Sequence, residues 1–474
     1  MILSLLVGVS FVFLRFIETF ITFGLLKFKI KTKAISNTMR TLLLFIIMAF
    51  QITSFAQLSE KIKAETQKQT SYAFELCKYL HQNPELSFQE FETAKRMAAE
   101  LKSIGFEVTE NFGGNSVVGI FKNGEGPTVM LRTDMDALPV EEKTAFEFAS
   151  TKRADLNGDE VSVMHACGHD IHMSTWTGTA RSLVELKNEW AGTLMVIAQQ
   201  AEEYSGGAGQ AIDAGLFSKF PTPDYALAYH INPELETGQI GLRGGPVFAG
   251  VKTVEITVYG VGGHGAYPQK CIDPVVIASR IVTDLQTIVS RELSPTEPAV
   301  VTVGSIHGGT RPNIIPDEVK MQLTLRYFSE ETIEKIIASI KRISNAAAKT
   351  AGVSDDKLPK VYIDPTETPP VLNDNELSAK VENFAAEIIG KRNIVETQPE
   401  MVGEDFGKYG LTPEDVPICL IWLGSTSPEL MQQLKAEGKR PYPLHSAQLT
   451  PDYENTIRTG VEVMTANVIG LLKK

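Results

Sequence analysis

The strongest constraint on the fold is a repeated local pattern, in which an apolar run ends and a metal-ligand type of residue follows at once. Thr128–Arg132 leads into Thr133-Asp134-Met135-Asp136, and Leu194–Ala198 leads into Gln200-Ala201-Glu202-Glu203. A third cluster, Met164-His165-Ala166-Cys167-Gly168-His169-Asp170-Ile171-His172, lies between them, and His230 follows in Ala-Tyr-His-Ile-Asn. Buried strands that each end in donor groups are what an open α/β sheet produces, because ligands collect at the carboxyl ends of its strands. Thiolate, imidazole and carboxylate together suit a divalent ion of the zinc type. In this order they point to metal-assisted hydrolysis.

With 474 residues, 43% hydrophobic and 22% charged, the composition is that of a globular protein long enough for two domains. A net charge of −12 argues against a nucleic-acid partner. Cys77, Cys167, Cys271 and Cys419 are too widely spaced to form a disulfide framework. Cys167 reads as functional and the other three as small buried apolar residues.

Residues 1–56 stand apart from the globular part. Leu42–Phe55 follows Met39-Arg40 and ends in Thr-Ser-Phe-Ala-Gln57, the order of a secretory signal cut near Ala56. It is short for a membrane span. The earlier run, Met1–Leu26, carries Arg15 and Glu18 and is followed by Lys27, Lys29, Lys31 and Lys33. It reads as an upstream extension with Met39 as the initiator. The alternative is a membrane helix, which would anchor a protein otherwise expected to be exported.

Residues 57–246 read as the first part of an α/β catalytic domain, with helices over 60–104 broken at His81-Gln-Asn-Pro-Glu85. Between 247 and 364 the rhythm changes. Strand patterns at Val251–Tyr259, Val300–Ile306, Val319–Phe328 and Lys360–Ile363 alternate with helical patterns at Pro274–Arg291 and Glu330–Lys349. Asp273 is the expected N-cap of the first of these helices, with Pro at its first position. This β-α-β-β-α-β order is ferredoxin-like. The expectation is therefore a two-domain α/β protein with an inserted α+β lid or dimerisation domain. Gly244-Gly245-Pro246 would be the entry linker and Asp364–Pro370 the exit, and the catalytic domain would resume over 365–474.

These residues resemble a metallopeptidase family that holds the aminoacylases and glutamate carboxypeptidases. The match is to its amidohydrolase branch of hippurate hydrolase, N-acyl-amino-acid amidohydrolases and indole-acetyl-amino-acid hydrolases. The motifs that carry the resemblance begin with His81-x-x-Pro-Glu-Leu-Ser, Arg132-Thr-Asp-Met-Asp-Ala-Leu-Pro, the Met164–His172 cluster and Gln200-Ala-Glu-Glu. They continue through Gly262-Gly-His, Thr310-Arg-Pro-Asn, Gly403-Glu-Asp-Phe and Pro443-Leu-His-Ser. The resemblance implies two divalent ions per subunit, zinc or manganese with nickel or cobalt as alternatives, held by Cys167, His169, Glu203, His230 and His445. It leaves Glu202 as general base and Asp136 as the group that orients a ligating imidazole. His264 would donate to the developing oxyanion, often from a partner subunit, and Arg311 and Asn313 would anchor the substrate carboxylate. Where the family usually has Ala and His around its lid histidine, this chain has Gly265 and Gln269, which puts the pocket's shape in question. Asp170 and His172 are open between supporting the site and a purely structural role.

The expected activity is hydrolysis of the amide bond of an N-acyl amino acid by a homodimer joined through the inserted domain. A carboxypeptidase or dipeptidase on short peptides is the rival reading. A non-catalytic metal-binding assembly module is the rival from another class, and the retained Glu202 argues against it.

Overall fold

All seven residues of Thr128–Asp134 and all nine of Ile418–Thr426 are buried, as befits strands covered on both faces. Both lie inside an eight-stranded sheet. Its order is Glu107–Thr109, Val117–Asn123, Gly192–Gln199, Thr128–Asp134, Tyr225–Glu236, Ile418–Thr426, Ile240–Leu242 and Ile394–Glu396. The four central strands, from Gly192–Gln199 to Ile418–Thr426, run parallel. Antiparallel pairing of Val117–Asn123 on one side and Ile240–Leu242 on the other makes the sheet mixed.

This computed structural model describes residues 37–473, with side chains from 57 onward. Met1–Leu58 forms one unit and Ser59–Lys474 another. The leader expected over 1–56 falls partly outside the described residues, and Asn37–Gln82 is assigned as a helix. No helix among the described residues is long and apolar enough to cross a membrane.

In the larger unit, His169–Glu185 packs against the C-terminal helix Tyr453–Leu471, and both cover the sheet. The contact is close because Gly460 meets Thr175, where an added Cβ would lie 2.5 Å from the Thr175 methyl. Met195, Ile197, Ala226, Ala228, Leu420 and Trp422 belong to the core on one face of the sheet.

A second, four-stranded antiparallel sheet has the order Val300–His307, Glu318–Tyr327, Gly250–Tyr259, Lys360–Thr368. Along the chain its elements run β-α-β-β-α-β, with the helices Pro274–Thr287 and Glu330–Thr350. One face alternates inward through Val254, Ile256 and Val258 and packs on Ile277, Ile281, Ile333, Ile336 and Ile340, so this layer has its own core. Asp273 caps the first helix by accepting from Val275 N at 2.9 Å. Ser329 caps the second, accepting from Thr332 N at 3.2 Å.

Two expectations need correcting. Gly245 and Pro246, expected in the entry linker, belong to a strand, Gly245–Phe248, that pairs with Val371–Asn373. Asp364–Thr368 is not a linker but the continuation of the last strand. Pairing skips from Val254↔Ile363 to Lys252↔Glu367, so residues 364–366 bulge. Pro365 fits because this is an edge strand at a bulge, where a missing N–H costs no ladder bond.

Candidate metal centre and cleft

The donors gather at the carboxyl ends of the parallel strands, where an open α/β sheet binds its ligands. Asp134 ends one strand. Glu202 and Glu203 sit in the turn after Gly192–Gln199, and His230 lies on Tyr225–Glu236. Cys167 and Gly168 immediately precede His169–Glu185, so the Cys167 sulfur lies at the positive end of a helix. Gly168 has φ of 79°, and a Cβ there would meet Ile231 Cδ1 at 2.3 Å. Only glycine fits both the left-handed backbone and the close approach.

Cys167 Sγ lies 3.5 Å from His230 Nε2. His230 Nδ1 is 2.9 Å from the Ile231 carbonyl, so a proton there leaves the Nε2 lone pair facing the sulfur. His169 Nε2 is 3.9 Å from each of Asp134 Oδ2, Glu202 Oε2 and Glu203 Oε1. His445 Nε2 is 3.4 Å from Glu203 Oε1. His445 reaches the cluster from far along the chain. It has φ of 65°, and its N–H donates to the Ala166 carbonyl at 2.8 Å. A histidine held in the left-handed region over such a contact is backbone strain at a candidate site.

Asp136 organises this cluster. It accepts from the backbone N–H groups of Glu202 and Glu203 at 3.1 and 3.0 Å and from Ser87 Oγ at 2.6 Å, and it stands 3.3 Å from His169 Nδ1. His172, left open by the sequence, bridges structure. It contacts Asp134 Oδ1 at 2.7 Å and accepts from Ile231 N at 3.0 Å. Asp170 turns away to His81, 2.8 Å off, while His81 Nε2 is 3.1 Å from Glu142.

The residues fit a divalent ion. His169 Nε2 and Glu203 Oε1 are buried without a hydrogen-bond partner, and Cys167, His169, Glu203, His230 and His445 bring their donor atoms together in overlapping groups of three. The buried groups perturb one another strongly. Burial, Glu203 and Glu202 push the Cys167 thiol well up, and burial, Glu404 and Glu203 hold the Glu202 carboxyl well above its usual range. Against burial, Asp134 and Asp136 raise His169 to about 10. Burial and His172 depress His230. A bound divalent cation would offset these carboxylates and favour the Cys167 thiolate.

A cleft of about 650 Å³ opens over the cluster. Cys167, Glu202, Glu203, His230 and His445 line it, with Phe248, Met401, Trp422 and Leu444 as apolar wall. His264, Arg311 and Asn313 do not line it. They sit together on an exposed two-stranded ribbon, where His264 pairs with Ile314 and Gly265 N donates to Asn313 O. Within one chain they are not brought to the donors.

Sequence reasoning gave no role to several charged residues that the structure places here. Arg132 is fully buried and contacts Asp134 at 2.6 Å, Glu404 at 2.9 Å, Asp405 at 3.0 Å and Gln199 at 3.1 Å. A lone arginine at the end of an apolar run was the available signal. Burial pushes Glu404 up to about 7 despite this partner. Arg326 and Glu400 also line the cleft. Nothing local in the sequence marks either.

A buried carboxylate beside a cluster of possible divalent-metal donors, at the floor of a cleft, is an arrangement suited to a metal-dependent hydrolase. The family model described as peptidase family M20/M25/M40 matches residues 130–447, and the chain belongs to that family. It is 35% identical to thermostable carboxypeptidase 2 of Saccharolobus solfataricus over 74% of this chain and 86% of that one. It is 34% identical to the N-acetyldiaminopimelate deacetylase of Leuconostoc citreum over 81% of this chain and 92% of that one. Among solved structures it resembles a dinuclear metal binding peptidase of the M20 family from Bacillus subtilis, with a TM-score of 0.69 and 28% identity over 86% of this chain and 99% of that one.

Proposed function

We propose that this M20 amidohydrolase cleaves the amide bond of N-acyl amino acids and releases the free amino acid. The observation that carries the reading is the cleft itself. Glu202 is buried beside the donor set without being needed to complete it, and Arg326, whose guanidinium makes no ion pair among the described residues, lines the same cavity. Cys167, His169, Glu203, His230 and His445 would hold two divalent ions, zinc or manganese, with nickel or cobalt as alternatives. When bound, such ions polarise a carbonyl and make water a nucleophile near neutral pH.

The chain's own groups do the rest. Glu202 takes the proton of the attacking water and returns it to the leaving nitrogen. Asp136 fixes the backbone of Glu202 and Glu203 and the orientation of His169. Arg326 lies in the cleft of its own chain and binds the substrate carboxylate, a role given to Arg311 and Asn313 by resemblance alone.

His264, Arg311 and Asn313 are exposed and clustered, which suits groups that act on the site of a second copy. The layer over 247–364 would then act as a lid and join a homodimer. Mixing His264→Ala with Glu202→Gln should restore activity in mixed dimers, and no recovery after proven subunit exchange would exclude action in trans.

The carboxypeptidase among the relatives keeps the short-peptide reading as the rival. Activity named in both relatives, together with Glu202, leaves the assembly-module reading without support. The deciding experiment is a panel of N-acetyl and N-benzoyl amino acids and dipeptides, with metal content by elemental analysis. Release of amino acid from the N-acyl members, abolished by chelation, is the expected result. Full hydrolysis with metal shown absent would overturn it.

A further inference from the structure

The turn that carries Glu202 and Glu203 is held through its backbone, one N–H after another. Gln200 N donates to Ser116 Oγ at 3.2 Å, Glu202 N to Asp136 Oδ1 at 3.1 Å and Glu203 N to Asp136 Oδ2 at 3.0 Å. The N–H between them, of Ala201, donates to Glu90 Oε1 at 2.7 Å, across 111 positions of chain. Ala201 is fully buried and has φ of 48°, in the left-handed region that residues with a side chain rarely adopt. The residue just before Glu202 is therefore strained, and a distant carboxylate holds it there.

Glu90 does not cap its own helix. It stands at the N-cap of Phe91–Ser103, yet its side chain makes no capping bond. Glu85 does that work, accepting from Glu92 N at 3.2 Å and Thr93 N at 2.8 Å. The Glu90 side chain turns inward, fully buried, and its second oxygen accepts from Asn115 Nδ2 at 3.2 Å. Burial and the nearby Asp136 push its carboxyl up to about 7, so a carboxylate here is costly, and the Ala201 N–H offsets part of that cost. From the same segment, Ser87 Oγ donates to Asp136 Oδ2 at 2.6 Å. The His81-x-x-Pro-Glu-Leu-Ser motif and the three residues after it thus brace both anchors of the turn, Asp136 through Ser87 and Ala201 through Glu90.

We infer that Glu90 is a positioning residue for the general base, keeping Ala201 in the left-handed conformation that directs Glu202 at the cleft. This rests on the reading of Glu202 as that base. Relaxation of φ at Ala201 would swing the peptide that joins it to Glu202. Asp136 would still hold the N–H groups of Glu202 and Glu203, so the donor set stays assembled while the base shifts.

Glu90→Met removes both acceptor oxygens and keeps the volume. In the metal-loaded enzyme it should lower kcat about ten- to a hundredfold, the scale of a reacting group misplaced by up to about 1 Å, with KM and metal content nearly unchanged. Glu90→Gln still presents one oxygen and should lose less. Ala201→Gly gives the readout that a merely structural role would not move. Glycine takes positive φ without strain, so in an Ala201→Gly background Glu90→Met should cost only about threefold or less. Amide hydrogen exchange of the metal-loaded protein should quicken at Ala201 in Glu90→Met. An unchanged kcat, a loss carried by KM or by missing metal, or equal losses in the two backgrounds overturns the inference. Should Glu90→Met not fold, Glu90→Gln with and without Ala201→Gly carries the same comparison. An impaired Glu202→Gln beside an unaffected Glu90→Met takes down the inference alone. A nearly fully active Glu202→Gln takes down the reading of the base and the inference with it.

Discussion

His81 offers a quantitative test of the scaffold behind the metal centre. It is fully buried, 2.8 Å from Asp170 and 3.1 Å from Glu142, with Tyr453 Oη 3.1 Å from its Nδ1. Burial alone would keep the ring neutral, but hydrogen bonds to the two carboxylates raise it from the ordinary 6.5 to about 9. A folded-state value above the unfolded one means stability that is fully present below pH 6.5 and lost as pH rises through about 9. The rise from 6.5 to about 9 corresponds to about 3 kcal/mol. Urea unfolding of the metal-loaded protein across pH 6 to 10 should therefore show a loss approaching that size. Glu142→Gln removes one carboxylate, lowers the folded-state value, and should make the loss smaller and complete it at lower pH. Because other groups titrate in this range, the difference between wild type and Glu142→Gln isolates the His81 contribution. NMR of the ring reports the titration directly. An imidazole that titrates near 6.5, or two proteins with parallel pH profiles, would refute the reasoning.

Other expectations concern the site. Glu202→Gln should keep its metal and lose at least ~10²-fold in kcat, the usual scale for a missing general base, whereas Glu203→Ala should lose metal by elemental analysis. A nearly fully active Glu202→Gln would reverse the assigned roles. Gly168→Ala forces a side chain into the left-handed region and into Ile231, so about 1–3 kcal/mol of stability and part of the metal occupancy should go together. Unchanged melting with full metal content would show that the loop adapts. Arg326→Met should raise KM for substrates with a free carboxylate about tenfold or more with kcat nearly unchanged, and an unaltered KM would remove Arg326 from the substrate site.

What the sequence revealed about the site was what lies close together along the chain. Cys167, Gly168 and His169 form one turn, and Glu202 and Glu203 one dipeptide, so their chemistry is visible before folding. His445 was found by its motif, but its tie to Ala166 is a tertiary contact. The Arg132 to Glu404 pair spans 272 positions, and no spacing rule reaches that far. Arg326 and Glu400 stayed hidden for the same reason. Each reads as an ordinary surface charge until the fold places both along the cleft. The β-α-β-β-α-β order was legible because apolar alternation and the Asp273 cap are local signals. Its last strand was cut short because Pro365 looks like a breaker until its edge position is known. His264, Arg311 and Asn313 were readable as motifs, yet a single chain leaves them outside its own cleft.

The strand that carries His230 is flanked in the finished sheet by Thr128–Asp134 and by Ile418–Thr426. During synthesis only the first of these neighbours exists for a long interval. Until the ribosome has passed Thr426, the row of backbone groups beside His230 is an open, apolar edge, and the whole β-α-β-β-α-β layer is made in the meantime. Such edges invite pairing with other chains. Truncations between 250 and 417 should therefore aggregate rather than yield a half-built enzyme, and the nascent chain has reason to engage a chaperone before its last quarter emerges.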